Sequence, residues 1–275
     1  YISFVDCSNN SSMKTKVIIP QFLVTDELVQ LAEDCIKSYR ENSDAYIISV
    51  DDAGEYKKAD RADEVLALSD KVITMPQNSG FARACNAGFK YAMEMEEESY
   101  IICSNNDILI HDRVIPELTR PFEMFDNVAI TGIWSTKEKE MFEGKLLRDW
   151  NGGRMAQGGL LGDRMQDGGL WCSKASILKK IGLFDDQFIR GGYEDVDLFL
   201  RVRDDFGMMI VMSNFAVYWH KQGATRWNTE KIGAVNNFGL ESKSIENENL
   251  QRFIKKCGYN PHTRQIWKEK ELFNA

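Results

Sequence analysis

No run of this chain approaches the roughly 20 apolar residues that cross a bilayer. No basic-then-apolar segment of the secretory kind opens it either. Membrane contact is therefore expected to be peripheral at most. Positive charge is in deficit: 34 Lys and Arg stand against 42 Asp and Glu, a net of −8. Surfaces for nucleic acid or anionic lipid call for clustered Lys and Arg, so nucleic acid is not an expected partner. Phosphate is not excluded, because a few local donors hold it. Cysteine pairs of the C-x-x-C kind are missing. Cys7, Cys35, Cys85, Cys103, Cys172 and Cys257 are scattered, which argues against a zinc site. They read as reduced, mostly buried thiols, and the expected compartment is the cytoplasm. Histidine is scarce, with only His111, His220 and His262. There is no internal repeat and no linker, so one continuous unit is expected.

What is present is enough apolar sequence for a core: 43% of 275 residues. Residues 1–12 end in the polar run Ser8-Asn9-Asn10-Ser11-Ser12 and are expected to be a leader or loose arm. Beyond them, short apolar runs alternate with amphipathic stretches. Strands are expected at 16–19 (stopped by Pro20), 45–50, 71–75 and 100–103. Helices are expected at 62–68, at 81–95 and at 26–39, the last capped by Thr25 with Asp26 and Glu27 at its positive end. This alternation implies an α/β fold with a Rossmann-like, mostly parallel central sheet flanked by helices. Active sites in such sheets lie beyond the carboxyl ends of the strands. The second half reads as less regular, with strands at 128–134, 209–212 and 216–218 and helices at 175–181, 194–203 and 245–257. Residues 148–169 are rich in glycine and read as a mobile lid.

Five segments carry chemistry. Asp51 and Asp52 end a strand, where carboxylates accept hydrogen bonds from a base or from ribose hydroxyls; Asp-Asp-Ala-Gly is equally good turn chemistry. The run from Gln77 to Gly88 joins a strand to a helix start, where backbone N–H groups and the dipole favour an anion. Gly80 permits close approach, Arg83 can reach a phosphate, and Gly88 can be a packing notch. Asn105-Asn106-Asp107 offers one carboxylate, which with diphosphate oxygens and water suits Mg²⁺ or Mn²⁺. Gly191-Gly192-Tyr193-Glu194-Asp195 opens a helix whose dipole favours ionised carboxylates. There Asp195 can accept a hydroxyl proton, while Asp197 is placed to fix Arg201. His220, past an apolar strand, can complete a metal shell. Trp134, Trp150, Trp171, Trp219 and Trp227 offer faces for sugar rings, or for core packing.

Taken in order, an I-I-P strand, Asp51-Asp52, N-S-G-F-A-R-A-C-N-A-G, S-N-N-D, G-x-F-D-x-x-F, G-G-Y-E-D-V-D-L-x-x-R and a late Tyr-Trp-His resemble the family 2 glycosyltransferases with the GT-A fold, especially the rhamnosyltransferase-like members. The resemblance covers residues 16–227. It implies a domain over 13–227, with a nucleotide-binding half at 13–110 and a smaller acceptor half at 111–227. Residues 228–275, which match nothing in the family, are expected to be a C-terminal helical extension. By the resemblance, Pro20, Asp51, Asp52, Asn78, Gly80, Arg83, Asn86, Asn105, Asn106 and Asp107 bind a UDP- or dTDP-sugar donor. Asp107 and His220 hold a divalent cation, Mn²⁺ or Mg²⁺. Asp195, with Glu194 beside it, is the catalytic base of an inverting displacement. Gly169, Trp171 and Tyr193 line the pocket for the sugar and a glycan or glycoconjugate acceptor. One departure stands out: the family's D-x-D motif has lost its first carboxylate to Asn105.

Two other classes compete. A nucleotidyltransferase shares the sheet and a metal carboxylate, but needs a glycine- and basic-rich loop after its first strand, where this chain has Pro20-Gln21-Phe22-Leu23. A non-catalytic sugar- or nucleotide-binding module fits the lost carboxylate but not the retained Asp107, Glu194, Asp195 and His220.

Overall fold

A strand buried on both faces needs continuous apolar side chains, and residues 17–19 supply them. The computed structural model of the chain describes residues 13–95, 98–137, 154–157, 168–225, 242–261 and 270–274. In it this segment is the middle of β1 (Thr15–Gln21). Ile18 faces one core, and Val17 and Ile19 face another. Strands β2 (Tyr46–Asp51) and β4 (Tyr100–Ser104) flank β1 in parallel, and β3 (Lys71–Thr74) continues the parallel run from β2. Pro20 does not stop β1. The pairing with β4 ends at Ile18 opposite Cys103, so the missing N–H breaks no ladder on that side.

Helix α1 (Asp26–Asn42) begins as its sequence suggests, with the Leu28 N–H donating to Thr25 Oγ1 at 3.3 Å. It covers one sheet face together with α2 (Ala62–Leu66) and α4 (Val114–Thr119), through Ile36, Val65 and Leu118. The short α5 (Pro121–Met124) follows. On the opposite face, α3 (Phe81–Met95), α6 (Ala175–Ile181) and α7 (Glu194–Asp204) contribute Phe89, Leu178 and Phe199. Gly88 is a packing notch: a Cβ there would stand 2.4 Å from Ile18 Cγ2. Cys35, Cys85, Cys103 and Cys172 are buried free thiols.

The second half is woven differently. β8 (Leu170–Lys174) runs antiparallel between β4 and β6 (Val128–Thr136), and β9 (Met209–His220) runs parallel to β6. With β7 (Arg154–Gln157) and β10 (Lys270–Asn274), the order is β10-β7-β9-β6-β8-β4-β1-β2-β3. β5 (Ile108–Leu109) pairs antiparallel with the end of β9. The sheet is therefore parallel in its first half and mixed in its second. The strands expected at 209–212 and 216–218 are one strand, whose register slips between Ile133 and Trp134. Of the expected lid, residues 154–157 form β7 and Gly168 and Gly169 a turn. The rest of it lies outside the described residues, as do 1–12, Trp150, Trp227 and His262. The C-terminal extension is not helical alone. Its helix α8 (Ser242–Cys257) buries Phe253 in the core, and β10 pairs with β7. Among the described residues no helix is long and apolar enough to cross a membrane.

Candidate active site

The carboxyl ends of β1, β2 and β4 open onto a cleft of about 590 Å³, where ligands of such sheets bind. Pro20, Asp52, Asn78 and Gly80 line it, and so do Asn105, Asn106, Asp107, Gly169, Glu194, Asp195 and His220. Residues from both halves of the sequence thus meet at one cavity.

Asp52 sits at the start of α3. Its carboxylate accepts from the Ser79 N–H at 2.7 Å, the Ser79 hydroxyl at 2.6 Å and the Gly80 N–H at 2.8 Å. Asn78 Nδ2 donates to the Asp52 carbonyl at 2.7 Å. Burial pushes the Asp52 carboxyl up to about 6, against the pull of the Ser79 and Gly80 hydrogen bonds. The next N–H, that of Phe81, donates to the Arg190 carbonyl at 2.7 Å. The helix start expected to receive a diphosphate is therefore filled by the protein's own Asp52 and Arg190. A side-chain anion at a helix N-terminus gains from the same dipole as a bound one.

The acidic and imidazole groups converge as the sequence order requires. Antiparallel β5 and β9 set Ile108 opposite His220, and the Lys221 N–H donates to the Asp107 carbonyl at 3.0 Å. His220 Nε2 then lies 3.1 Å from Asp107 Oδ1 and 3.3 Å from Asn105 Nδ2. Asn105 Oδ1 is buried without a hydrogen-bond partner among the described residues. Asn106 is spent differently, donating to Gln21 Oε1 at 3.0 Å.

Glu194 and Asp195 open α7 at the cleft. Asp195 Oδ1 accepts the Val196 N–H at 2.8 Å. A Cβ on Gly168 would stand 2.5 Å from Asp195 Oδ2, so any larger residue there would push on this carboxylate. Burial pushes the Glu194 carboxyl up to about 8, with Asp195 adding to the rise; N–H groups of Gly192 and Glu194 oppose it. Glu194 Oε2 is buried with no hydrogen-bond partner among the described residues. Before this pair the backbone is left-handed at four successive residues: φ is 59° at Arg190, 156° at Gly191, 109° at Gly192 and 74° at Tyr193. At the two non-glycine positions such geometry costs about 1–3 kcal/mol each.

Five expected site residues do not line the cleft. Asp51 is committed to Lys58 Nζ, 3.1 Å away, and to the Ala53 N–H. Arg83 donates to the Asp186 carbonyl at 3.0 Å. Asn86 is buried, holding Phe184 and Asp186 through its amide. Trp171 is wholly buried and packs edge-on to Phe184 and Phe199. Tyr193 turns its ring to Phe253, 5.9 Å between centroids. Arg83 and Asn86 sit where α3 meets the 184–186 segment, so the motif is spent on packing two halves together. Conversely, Lys137, Arg190, Gln222 and Thr225 line the cleft without a sequence signal.

Comparison with known proteins agrees with this architecture. The family model described as Glycosyl transferase family 2 matches residues 16–181, well over half of the chain, and the chain belongs to that family. Glu194, Asp195 and His220 lie beyond the matched residues. Among curated proteins no relative matches. Glucosyl-3-phosphoglycerate synthase from Mycobacterium tuberculosis, solved with Mn²⁺, UDP-glucose and phosphoglyceric acid, superposes with a TM-score of 0.56 at 14% identity, over 96% of this chain and 89% of that one. The mannosyltransferase PcManGT from Pyrobaculum calidifontis, with GDP-Man and Mn²⁺, gives 0.52 at 14% identity over 80% and 61%. GalNAc-T7, with UDP, GalNAc and Mn²⁺, gives 0.54 at 14% identity over 76% of this chain but only 43% of its own. The chain thus spans less than half of that enzyme. At these identities the likeness establishes the fold, which is GT-A.

Proposed function

We propose that the chain is an inverting, metal-assisted glycosyltransferase of the rhamnosyltransferase-like kind. It moves a hexosyl or deoxyhexosyl group from a UDP- or dTDP-sugar to a hydroxyl of a glycan or glycoconjugate, in the cytoplasm. The observation that carries this reading is the shared cleft: the Asp107–His220 pair and the Glu194–Asp195 pair line one cavity.

The residues divide the work by chemistry. Asp52 clamps the loop at 78–80, which with Pro20 shapes the donor end. Asp107 and His220, with the unspent Asn105 Oδ1, form an N/O donor set that suits Mn²⁺ or Mg²⁺. These residues would hold the cation, which when bound would supply charge neutralisation for the departing diphosphate. Arg190 and Lys137 add positive charge along the same cleft. Asp195 accepts the proton of the acceptor hydroxyl. Glu194 keeps its own proton at neutral pH, so it donates to a sugar oxygen instead of acting as base. The solved GT-A structures hold Mn²⁺ with a nucleotide or nucleotide sugar, in keeping with this assignment.

A panel of UDP-, dTDP- and GDP-sugars with Mn²⁺ tests the reading through acceptor-free hydrolysis and thermal shift, because a bound ligand raises apparent stability. Cleavage of a UDP- or dTDP-sugar supports it. A panel in which nothing is cleaved and nothing shifts the melt rejects it.

A further inference from the structure

The left-handed run at 190–193 aims the Glu194–Asp195 pair, and something must hold it. α8, which lies outside the family-matched residues, supplies a wholly buried amide at the right place. Asn249 is 0% exposed. Its Nδ2 donates to the Ile189 carbonyl at 2.8 Å and to the Gly191 carbonyl at 3.3 Å. Its Oδ1 accepts the Ile189 N–H at 3.2 Å and Arg252 Nη1 at 2.9 Å. Donor and acceptor ends are therefore both used, and the amide fits in one orientation only. From the other side, the Phe81 N–H holds the Arg190 carbonyl, and a Cβ on Gly80 would stand 2.5 Å from the Arg190 nitrogen. The Tyr193 ring packs on Phe253, one turn along α8 from Asn249. Residues 189–193 are thus gripped between the start of α3 and the body of α8.

We infer that Asn249 is a positioning residue for the reaction: its side-chain amide locks residues 189–191 in the conformation that presents Asp195 and Glu194 to the cleft. A backbone in this region reverts to commoner dihedrals when its fixing bonds are lost. The run leads directly into the first turn of α7, which carries Glu194 and Asp195. The C-terminal extension is then part of the catalytic apparatus through geometry, although among its described residues only Glu246 lines the cleft. This inference rests on the transferase reading for its kinetic arm, and on the structure alone for its structural arm.

The test compares Asn249→Ala and Asn249→Asp with Lys256→Met. Lys256 also docks α8, pairing with Asp185 and Asp197 at 2.6 Å each, but does not touch 189–191. The Asp variant keeps the acceptor end and faces Arg252, so it is the one to use if the Ala variant does not fold. Amide hydrogen exchange reads the clamp directly, and steady-state kinetics reads its consequence. Asn249→Ala should speed exchange at Ile189 and Phe81. Asn249→Asp keeps the acceptor for the Ile189 N–H and loses only the two donations to carbonyls, so it should speed exchange at Phe81. Both should lower kcat on the order of 100-fold, as expected for a misplaced catalytic group, with KM for the donor and affinity for UDP with Mn²⁺ unchanged. Lys256→Met should lower the melting temperature and leave kcat alone. Unchanged exchange at 189 and 81, or a kcat loss that tracks the melting temperature alike in all three variants, overturns the inference. A wild-type chain that turns over no donor removes the transferase reading instead, and the exchange arm then decides the clamp by itself.

Discussion

His220 Nε2 stands 3.1 Å from Asp107 Oδ1, both residues 4% exposed, because β5 pairs antiparallel with the last residues of β9. Neither side chain is near the other in sequence, and only the sheet joins them. His220→Ala removes the one nitrogen donor of the set. Affinity for Mn²⁺, read by titration calorimetry in the presence of UDP, should fall at least about 10-fold. Unchanged affinity removes His220 from the metal shell.

Asp195→Asn keeps the shape and the acceptor for the Val196 N–H, so the melting temperature should stay close to wild type. The amide cannot take a proton, and transfer should fall by about 10²–10⁴-fold, the usual weight of a general base. Full activity in this variant rejects Asp195 as the base.

Gly168→Ala tests the space around that carboxylate. The added methyl would lie 2.5 Å from Asp195 Oδ2, so the carboxylate must swing away or the turn must shift. We expect a loss of kcat with little change in donor affinity, measured by steady-state kinetics beside UDP binding. Wild-type kcat would mean that the Asp195 position tolerates displacement.

Stability should fall with rising pH because of Glu194. Its folded carboxyl, pushed up to about 8 from an ordinary 4.5, holds a proton that the unfolded chain has already released. The contribution is full below 4.5 and is lost as pH climbs to about 8. Asp52 acts with the same sign, but only between 3.8 and about 6. Between pH 6 and 8, wild type should therefore lose melting temperature relative to Glu194→Gln. Parallel curves for the two proteins over that window contradict a buried, proton-retaining Glu194.

The parallel half of the fold was legible because its strands carry apolar residues on both faces and its helices carry caps and a 3.6-residue period. Thr25 at α1 and the Phe81–Met95 spacing are the clear cases. β8 escaped notice because Leu170–Lys174 follows a glycine turn and reads as pocket lining, although its alternate residues feed two cores. β9 looked like two strands because the register slip opposite Ile133 interrupts its apolar pattern. In the candidate site, motif order singles out Asp107, Asp195 and His220, which line one cleft. The roles of Arg83, Asn86 and Trp171 were not legible, since motif order cannot tell a ligand contact from a contact between two halves of the protein. Asn249 left no trace in the sequence: one polar residue in a helix gains meaning only from the carbonyls it meets.

The most direct measurement is anomalous diffraction from crystals grown with UDP and Mn²⁺. The expected result is a manganese peak coordinated by Asp107 and His220, with the diphosphate in the cleft that Asp195 also lines. A nucleotide bound elsewhere, or manganese remote from both side chains, would contradict the proposed active site.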